Sequence, residues 1–228
     1  MKAQRLRIRY AVSSEATALG QRDIVDAWEQ ACKAAQIPLA YSEGKRPSPQ
    51  ISIAAPLPQG VTSTCELADL YLSKVCRPQD IVQRLAEHLP CGIRPRSAEE
   101  VGVNAPSLQS QVRRAEYRVD VSGLERSPIE AAVSRLLTAR TLPARYKREA
   151  KVREYDLRPL VLDLRLTDDP APSLCLRLRA EPERTARADQ VLAALDLPEG
   201  LSIQRTALIL EDLPAVLLNY RRAAEPDE

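Results

Sequence analysis

The 228-residue chain has no phenylalanine, one tryptophan, one methionine and one histidine. With a single imidazole, His88, set beside Glu87 late in a helical stretch, no ordinary Ser/His/Asp triad can be assembled, and His88 reads as a surface or helix-end residue. The five cysteines, Cys32, Cys65, Cys76, Cys91 and Cys175, are scattered, odd in number and without a C-x-x-C pair. That spacing argues against a disulfide framework or zinc site and predicts buried, reduced thiols. Glycine-rich phosphate loops, H-E-x-x-H and G-x-S-x-G are absent as well, so no catalytic residue, metal or cofactor is expected. No apolar run approaches the length of a membrane span, and the first residues, Met1 to Arg9, alternate charge with apolar side chains as a strand does and a signal peptide does not. A cytoplasmic location is the expectation. Charge of one sign is also lacking: 33 basic against 31 acidic residues give +2, too little for a protein that coats nucleic acid indiscriminately. Arginine abundance beside the missing phenylalanine points to biased base composition, so the arginine count alone carries no weight.

What is present is periodicity. Leu6, Ile8, Tyr10 and Val12 alternate with Arg5, Arg7 and Arg9, the two-residue period of a half-buried strand over Gln4 to Val12. Ile24, Trp28, Ala31 and Ala35 recur at helical spacing between Gln21 and Gln36. Strands over Gln50 to Ala55 and Cys65 to Ser73, a helix opened by Pro78, and a strand over Ile93 to Val101 follow. After a polar connection the pattern restarts with a strand over Glu116 to Val121, then a helix with a capping box at Ser127-Pro-Ile-Glu130. A long strand within Lys151 to Leu166, marked by Leu160, Leu162, Leu164 and Leu166, its partner around Leu174 to Leu178, a helix over Arg187 to Leu195 and a strand over Leu201 to Leu210 complete it. Leu89-Pro-Cys-Gly-Ile93 and Leu197-Pro-Glu-Gly-Leu201 echo each other at helix ends. The order β-α-β-β-α-β occurs twice, which predicts an α+β protein of two tandem ferredoxin-like domains with antiparallel sheets. Their expected bounds are 1–105 and 112–220, with a flexible tail over 221–228.

A ferredoxin-like sheet is covered by its helices on one face only. Arg5, Arg7 and Arg9 therefore read as a cationic platform on the open face, where guanidinium forks reach phosphate oxygens; the alternative is a solvated or interdomain face with salt bridges. The second basic element runs from Arg140 to Arg158 and holds Arg145, Tyr146, Lys147, Arg148, Lys151, Arg153 and Tyr155. Cations interleaved with stackable rings are what unpaired RNA requires; the alternative is an exposed, charged hairpin. A third candidate is the stiff cationic loop Tyr41, Ser42, Gly44, Lys45, Arg46 and Pro47, suited to gripping a phosphate or docking a partner.

The stretch from Ile37-Pro-Leu-Ala-Tyr-Ser-Glu-Gly44 through Gly60 resembles the signature "LPLAYSxGFNPHPxLSFxxxLPxG" of the radical-SAM-linked proteins, and Asp156-Leu-Arg-Pro159 is similar to their "DLRPxI". Members of that family are found beside, or fused to, radical SAM enzymes, so the resemblance implies such an enzyme as partner. The chain itself lacks the C-x-x-x-C-x-x-C cluster motif and is not that enzyme. Gln21 and Ser48 stand where relatives carry histidines, and Lys45-Arg46 replaces Phe-Asn. Loss of both imidazoles removes the residues best suited to acid–base chemistry. The expected function is a non-catalytic accessory that binds tRNA or rRNA for a radical SAM enzyme. The alternatives are a protein-interaction scaffold for that enzyme and a histidine-independent endoribonuclease or RNA-modifying enzyme.

Overall fold

The computed structural model describes residues 2–148 and 151–212, with side chains for 2–145 and 154–212. The chain divides into two compact units: Met1–Val112 with the segment from Leu210 onward, and Arg113–Ile209. The return of Leu210 to the first unit departs from the expected run of 112–220 as one domain, and the expected tail over 221–228 lies outside the described residues.

The first unit runs β1 (Gln4–Val12), α1 (Gln21–Ala34), β2 (Ile51–Ile53), β3 (Val61–Leu72), α2 (Pro78–Ala86) and β4 (Ile93–Val101). β1 lies antiparallel between β3 and β4, and β2 pairs antiparallel with β3, so the spatial order is β2-β3-β1-β4. Alternation in β1 puts Leu6, Ile8 and Tyr10 into the core with Ile24, Trp28 and Ala31 of α1 and Ile81 and Leu85 of α2. Tyr10 meets Trp28 edge to face at 5.0 Å, the geometry aromatic quadrupoles prefer. The Asp23 carboxylate accepts the Gly20 N–H at 2.8 Å where α1 begins, and Pro78 occupies a first-turn position of α2, where its missing N–H costs nothing. The polar connection after β4 contains one short helix, α3 (Leu108–Gln111).

The second unit runs β5 (Val112–Asp120), α4 (Arg126–Thr138), β6 (Pro143–Arg148), β7 (Lys151–Asp156), β8 (Val161–Thr167), β9 (Ser173–Glu181), β10 (Arg184–Thr185), α5 (Ala188–Ala194) and β11 (Ile203–Leu210). Its sheet order is β8-β9-β5-β11, with β10 also on β9, while β6 and β7 form a separate hairpin. Ala115, Tyr117 and Val119 of β5 and Leu174, Leu176 and Leu178 of β9 are buried with Ile129, Val133, Leu136 and Val191 of the helices.

Two local expectations are corrected. The strand expected within Lys151 to Leu166 begins only at Val161 and is preceded by a separate strand, β7, because Arg158–Leu160 forms a 3-10 turn containing Pro159, which cannot donate to a ladder. Ser127 and Glu130 do not form a capping box: α4 begins at Arg126 with Glu125 as its uncapped flank, and Glu130 is held by Arg126 at 2.6 Å.

The thiols differ too. Only Cys32 is fully buried, and burial, with Glu29 adding, pushes it up to about 12. Cys91 is exposed, and the other three are intermediate. Alkylation in mildly alkaline buffer is therefore expected to label Cys91 in the native protein and Cys32 only after denaturation, because the thiolate is the nucleophile. Peptide mapping checks this, and equal native labelling would contradict the packing of α1. No helix among the described residues is long and apolar enough to cross a membrane.

Candidate functional site

Arg5 and Arg7 are not an open platform. Both are buried, with Asp69 between them on the neighbouring strand β3. Arg5 donates from Nε and Nη2 to Asp69 Oδ2 at 2.8 and 2.6 Å, and Arg7 donates from Nε to Oδ1 at 2.9 Å and from Nη2 to Oδ2 at 3.0 Å. The remaining Arg5 donors reach the carbonyls of Ala105 and Pro106 at 2.7 and 2.9 Å, and Arg7 Nη1 reaches Gln111 Oε1 at 3.3 Å. The connection after β4 thus lies over this face of β1 and removes it from water. Only Arg9 of the three is exposed, in a loose 3.9 Å pair with Glu99 that contributes ~0–1 kcal/mol.

The signature segment folds back on itself. Tyr41 bridges Pro49, the Ser42 N–H donates to the Ser48 carbonyl at 2.9 Å, and the Ser48 N–H donates to Ser42 Oγ at 3.0 Å. Ala40 and Gln50 continue this neck into the sheet by bonds with Tyr71 of β3 at 2.7 and 3.1 Å. Above the neck Gly44 turns the chain with φ 126°, which a side chain rarely tolerates. Tyr41, Lys45, Arg46 and Pro47 are exposed, Ser42 partly so. Ser48 braces the loop, and Gln21 opens α1 with its Oε1 buried and unpartnered. Lys45 and Arg46 make no ion pair with Asp23 or Asp26.

The basic run of the second unit becomes the β6–β7 hairpin, in which Arg145 opposes Glu154 and Tyr146 opposes Arg153. The side chains of Tyr146, Lys147, Arg148, Lys151 and Arg153 lie outside the described residues. At the foot, Asp156 Oδ1 accepts the N–H groups of Leu142 and Arg158 at 2.7 and 3.0 Å, and the Leu157 N–H donates to the Leu142 carbonyl at 2.8 Å. Arg158 is a strut, reaching the Leu137 and Val161 carbonyls at 2.9 Å each. Gln190 of α5 tethers the hairpin by accepting from the Tyr155 hydroxyl and facing the Arg145 carbonyl at 3.5 Å.

Between hairpin, β9–β10 turn and α5 lies a cleft of about 1050 Å³ whose walls include Arg145, Tyr155, Arg179, Arg184, Arg187 and Gln190. Three of its arginines have an acid at hand: Arg145 with Glu154 at 2.7 Å, Arg179 with Glu181 at 3.2 Å, Arg187 with Asp189 at 2.8 Å. The Asp189 hydrogen bond raises the Arg187 pKa against burial. Arg184 has no ion pair among the described residues. Sequence reasoning found Arg145 and Tyr155 but missed Arg179, Arg184 and Arg187, which arrive from a later hairpin and helix start. The cluster Arg177-Leu-Arg179 and Arg184-Thr-Ala-Arg187 was the available signal. No group of three or more His, Cys, Asp or Glu side chains placed to hold a metal ion occurs among the described residues.

Fold and site together define a mixed α+β protein with a mostly antiparallel sheet, its second unit carrying a cleft lined by four arginines and by Asp156, Glu183 and Asp189. Residues 5–211 match the family described as "Uncharacterized protein conserved in bacteria (DUF2344)", and the chain belongs to that family. No curated protein matches it. Among solved structures, a chain of the crystal structure of a Cbf5-Nop10-Gar1 complex is similar over 91% of this chain at 11% identity, with a TM-score of 0.47. This chain spans 50% of that one.

Proposed function

We propose that the protein is a non-catalytic RNA-binding accessory of a radical SAM enzyme, built from two ferredoxin-like units. The strand orders β2-β3-β1-β4 and β8-β9-β5-β11 support the architectural part, being the same permutation of a β-α-β-β-α-β chain. One observation carries the functional part: the half-buried ring of Tyr155 stands in an arginine-walled cleft at the foot of the basic hairpin. A ring offers stacking to an unpaired base, and guanidinium forks offer paired donors to phosphate. Radical SAM partnership rests on the signature segment, and RNA on the cleft.

Fluorescence anisotropy with labelled single-stranded RNA over a salt series tests the RNA part. Affinity is expected to fall with log[salt] by about 0.7 per phosphate contacted. The triple variant Arg145→Glu, Lys147→Glu, Arg148→Glu is expected to bind at least about tenfold more weakly and to lose about 0.7 of slope for each phosphate contact removed. Salt-independent affinity, or a triple variant that binds as the parent does, counts against RNA binding.

A scaffold role for the enzyme partner is favoured by a separate observation, the braced loop that presents Lys45 and Arg46 to solvent. Capture of partners from lysate with and without ribonuclease separates the two. Lys45→Glu with Arg46→Glu is expected to release the enzyme partner while leaving RNA affinity unchanged.

A further inference from the structure

The cleft does not end at Arg179, which also lines a second depression, of about 460 Å³, together with Arg113, Arg114, Arg177, Glu181 and Leu162. That depression lies on the side of the sheet away from the buried residues of β5 and β9. Residues opposite one another in an antiparallel ladder share a face, which fixes the layer there in four rows. Asp120 with Ser173 and Thr167 forms the last; the three that hold arginine are Arg114 with Arg179, then Glu116 with Arg177 and Asp163, then Arg118 with Cys175 and Arg165.

Acids are unevenly placed among those rows. The middle row is balanced: Arg177 binds Glu116 at 2.7 Å with Asp163 beside it. In the outer rows Arg114 and Arg165 are exposed and have no ion pair among the described residues. Arg118 gives Nη1 to the Asp169 carbonyl at 2.8 Å, which leaves its charge uncompensated. Arg114 stands directly across from Arg179. Like charges so opposed lower stability; Glu181, 3.2 Å from Arg179, offsets that in part, and a further anion beside Arg114 offsets the rest.

Resting on the RNA-binding reading, we infer that single-stranded RNA leaves the cleft past Arg179 and crosses the open face of the second unit's sheet, with Arg114, Arg165 and Arg118 taking its phosphates. Alternate residues along β9 are ~6.7 Å apart, so successive rows offer cations at a regular step for an extended backbone. Leu162, 39% exposed, adds an apolar contact for an unpaired base. A flat sheet face follows a flexible strand better than a stiff duplex, whose bases are already stacked on one another.

The test uses the full chain and labelled oligouridylates from about 4 to about 16 nucleotides, the range of single-strand site sizes. Wild-type affinity is expected to rise with length and then level off. Arg114→Gln with Arg165→Gln is expected to leave the shortest oligomers unaffected, to weaken the longest about tenfold and to reduce the salt slope measured on them by about 1.4. Arg184→Gln weakens every length. If the double variant loses stability, Arg114→Lys with Arg165→Lys keeps the charges and is expected to restore the dependence on length. A double variant that matches wild type at every length overturns the track and leaves the cleft standing. So does an RNA duplex that binds as tightly as the single strand. A wild-type chain that binds no oligomer overturns the cleft and the track together.

Discussion

Replacing Asp69 by alanine is expected to lower the melting temperature by roughly 10 °C. Asp69 is the shared counter-charge of two guanidiniums that have no water to turn to. Removing one member of a buried ionic group costs ~3–5 kcal/mol, because the charge left behind has lost its solvation and its partner. For a chain of this size each kcal/mol is worth roughly 2–4 °C. Substituting all three groups at once, with Arg5→Met, Arg7→Met and Asp69→Leu, is expected to recover part of the loss, since no unpaired charge then remains. Recovery stays incomplete, for the Ala105 carbonyl and Gln111 Oε1 lose the donors of Arg5 and Arg7, at ~1–3 kcal/mol for each acceptor left unsatisfied, while the Pro106 carbonyl keeps Gln111 Nε2. Calorimetry decides the matter. An Asp69→Ala protein that melts within a degree or two of wild type would mean that water enters the cluster.

The second large effect concerns a pair of glycines. Gly92 and Gly200 each follow a helix with positive φ, 91° and 83°, yet alanine is expected to act very differently at the two. A Cβ on Gly92 would stand 2.7 Å from both the Cβ and the backbone nitrogen of Ala16, whereas nothing lies within 4 Å of one on Gly200. Both substitutions incur ~1–2 kcal/mol for the left-handed backbone. At Gly92 overpacking against main chain adds ~1–3 kcal/mol. The Ser13 N–H bond to the Gly92 carbonyl, at 2.8 Å, holds the two segments together and leaves no room for retreat. Urea midpoints should thus fall about twice as far for Gly92→Ala as for Gly200→Ala. Equal shifts would show that the turn after α2 yields freely.

These residues also show where reading the sequence succeeds and where it stops. Alternation of Leu6, Ile8 and Tyr10 located β1 and the face it packs on the helices, because period two is a property of the strand alone, but the strand expected to be half-buried is buried on both faces except at Arg9. The same alternation grouped Arg5 with Arg7 but carried no information about what lies over them. The answer sits 64 residues away in Asp69 and 100 away in Ala105. In the second unit, alternation of Leu160, Leu162, Leu164 and Leu166 marked β8, while the residues before Pro159 hold only Leu157, out of that phase, and carry no leucine pattern that would set β7 apart. The cleft was half legible: Arg145 and Tyr155 belong to one basic run, while Arg184 and Arg187 reach it only through the pairing of β9 with β10 and the placement of α5. Gly92 and Gly200 were legible as helix ends, and the close approach of Ala16 that separates them was not.

The hairpin of β6 and β7 leaves the second unit between α4 and β8 and comes back to its own starting point, where Leu157 bonds Leu142. An excursion whose two feet touch imposes no register on the sheet beneath it, and the entropy of closing it rises by only ~0.6 kcal/mol for each doubling of its length. Insertions, deletions and new charges can therefore accumulate there while β8, β9, β5 and β11 stay paired as they are. The Arg5–Asp69–Arg7 cluster has no such freedom, since one buried carboxylate answers both guanidiniums. Divergence in what such a chain grips would be written in the length and charge of this appendage, on a body whose own residues can hardly move.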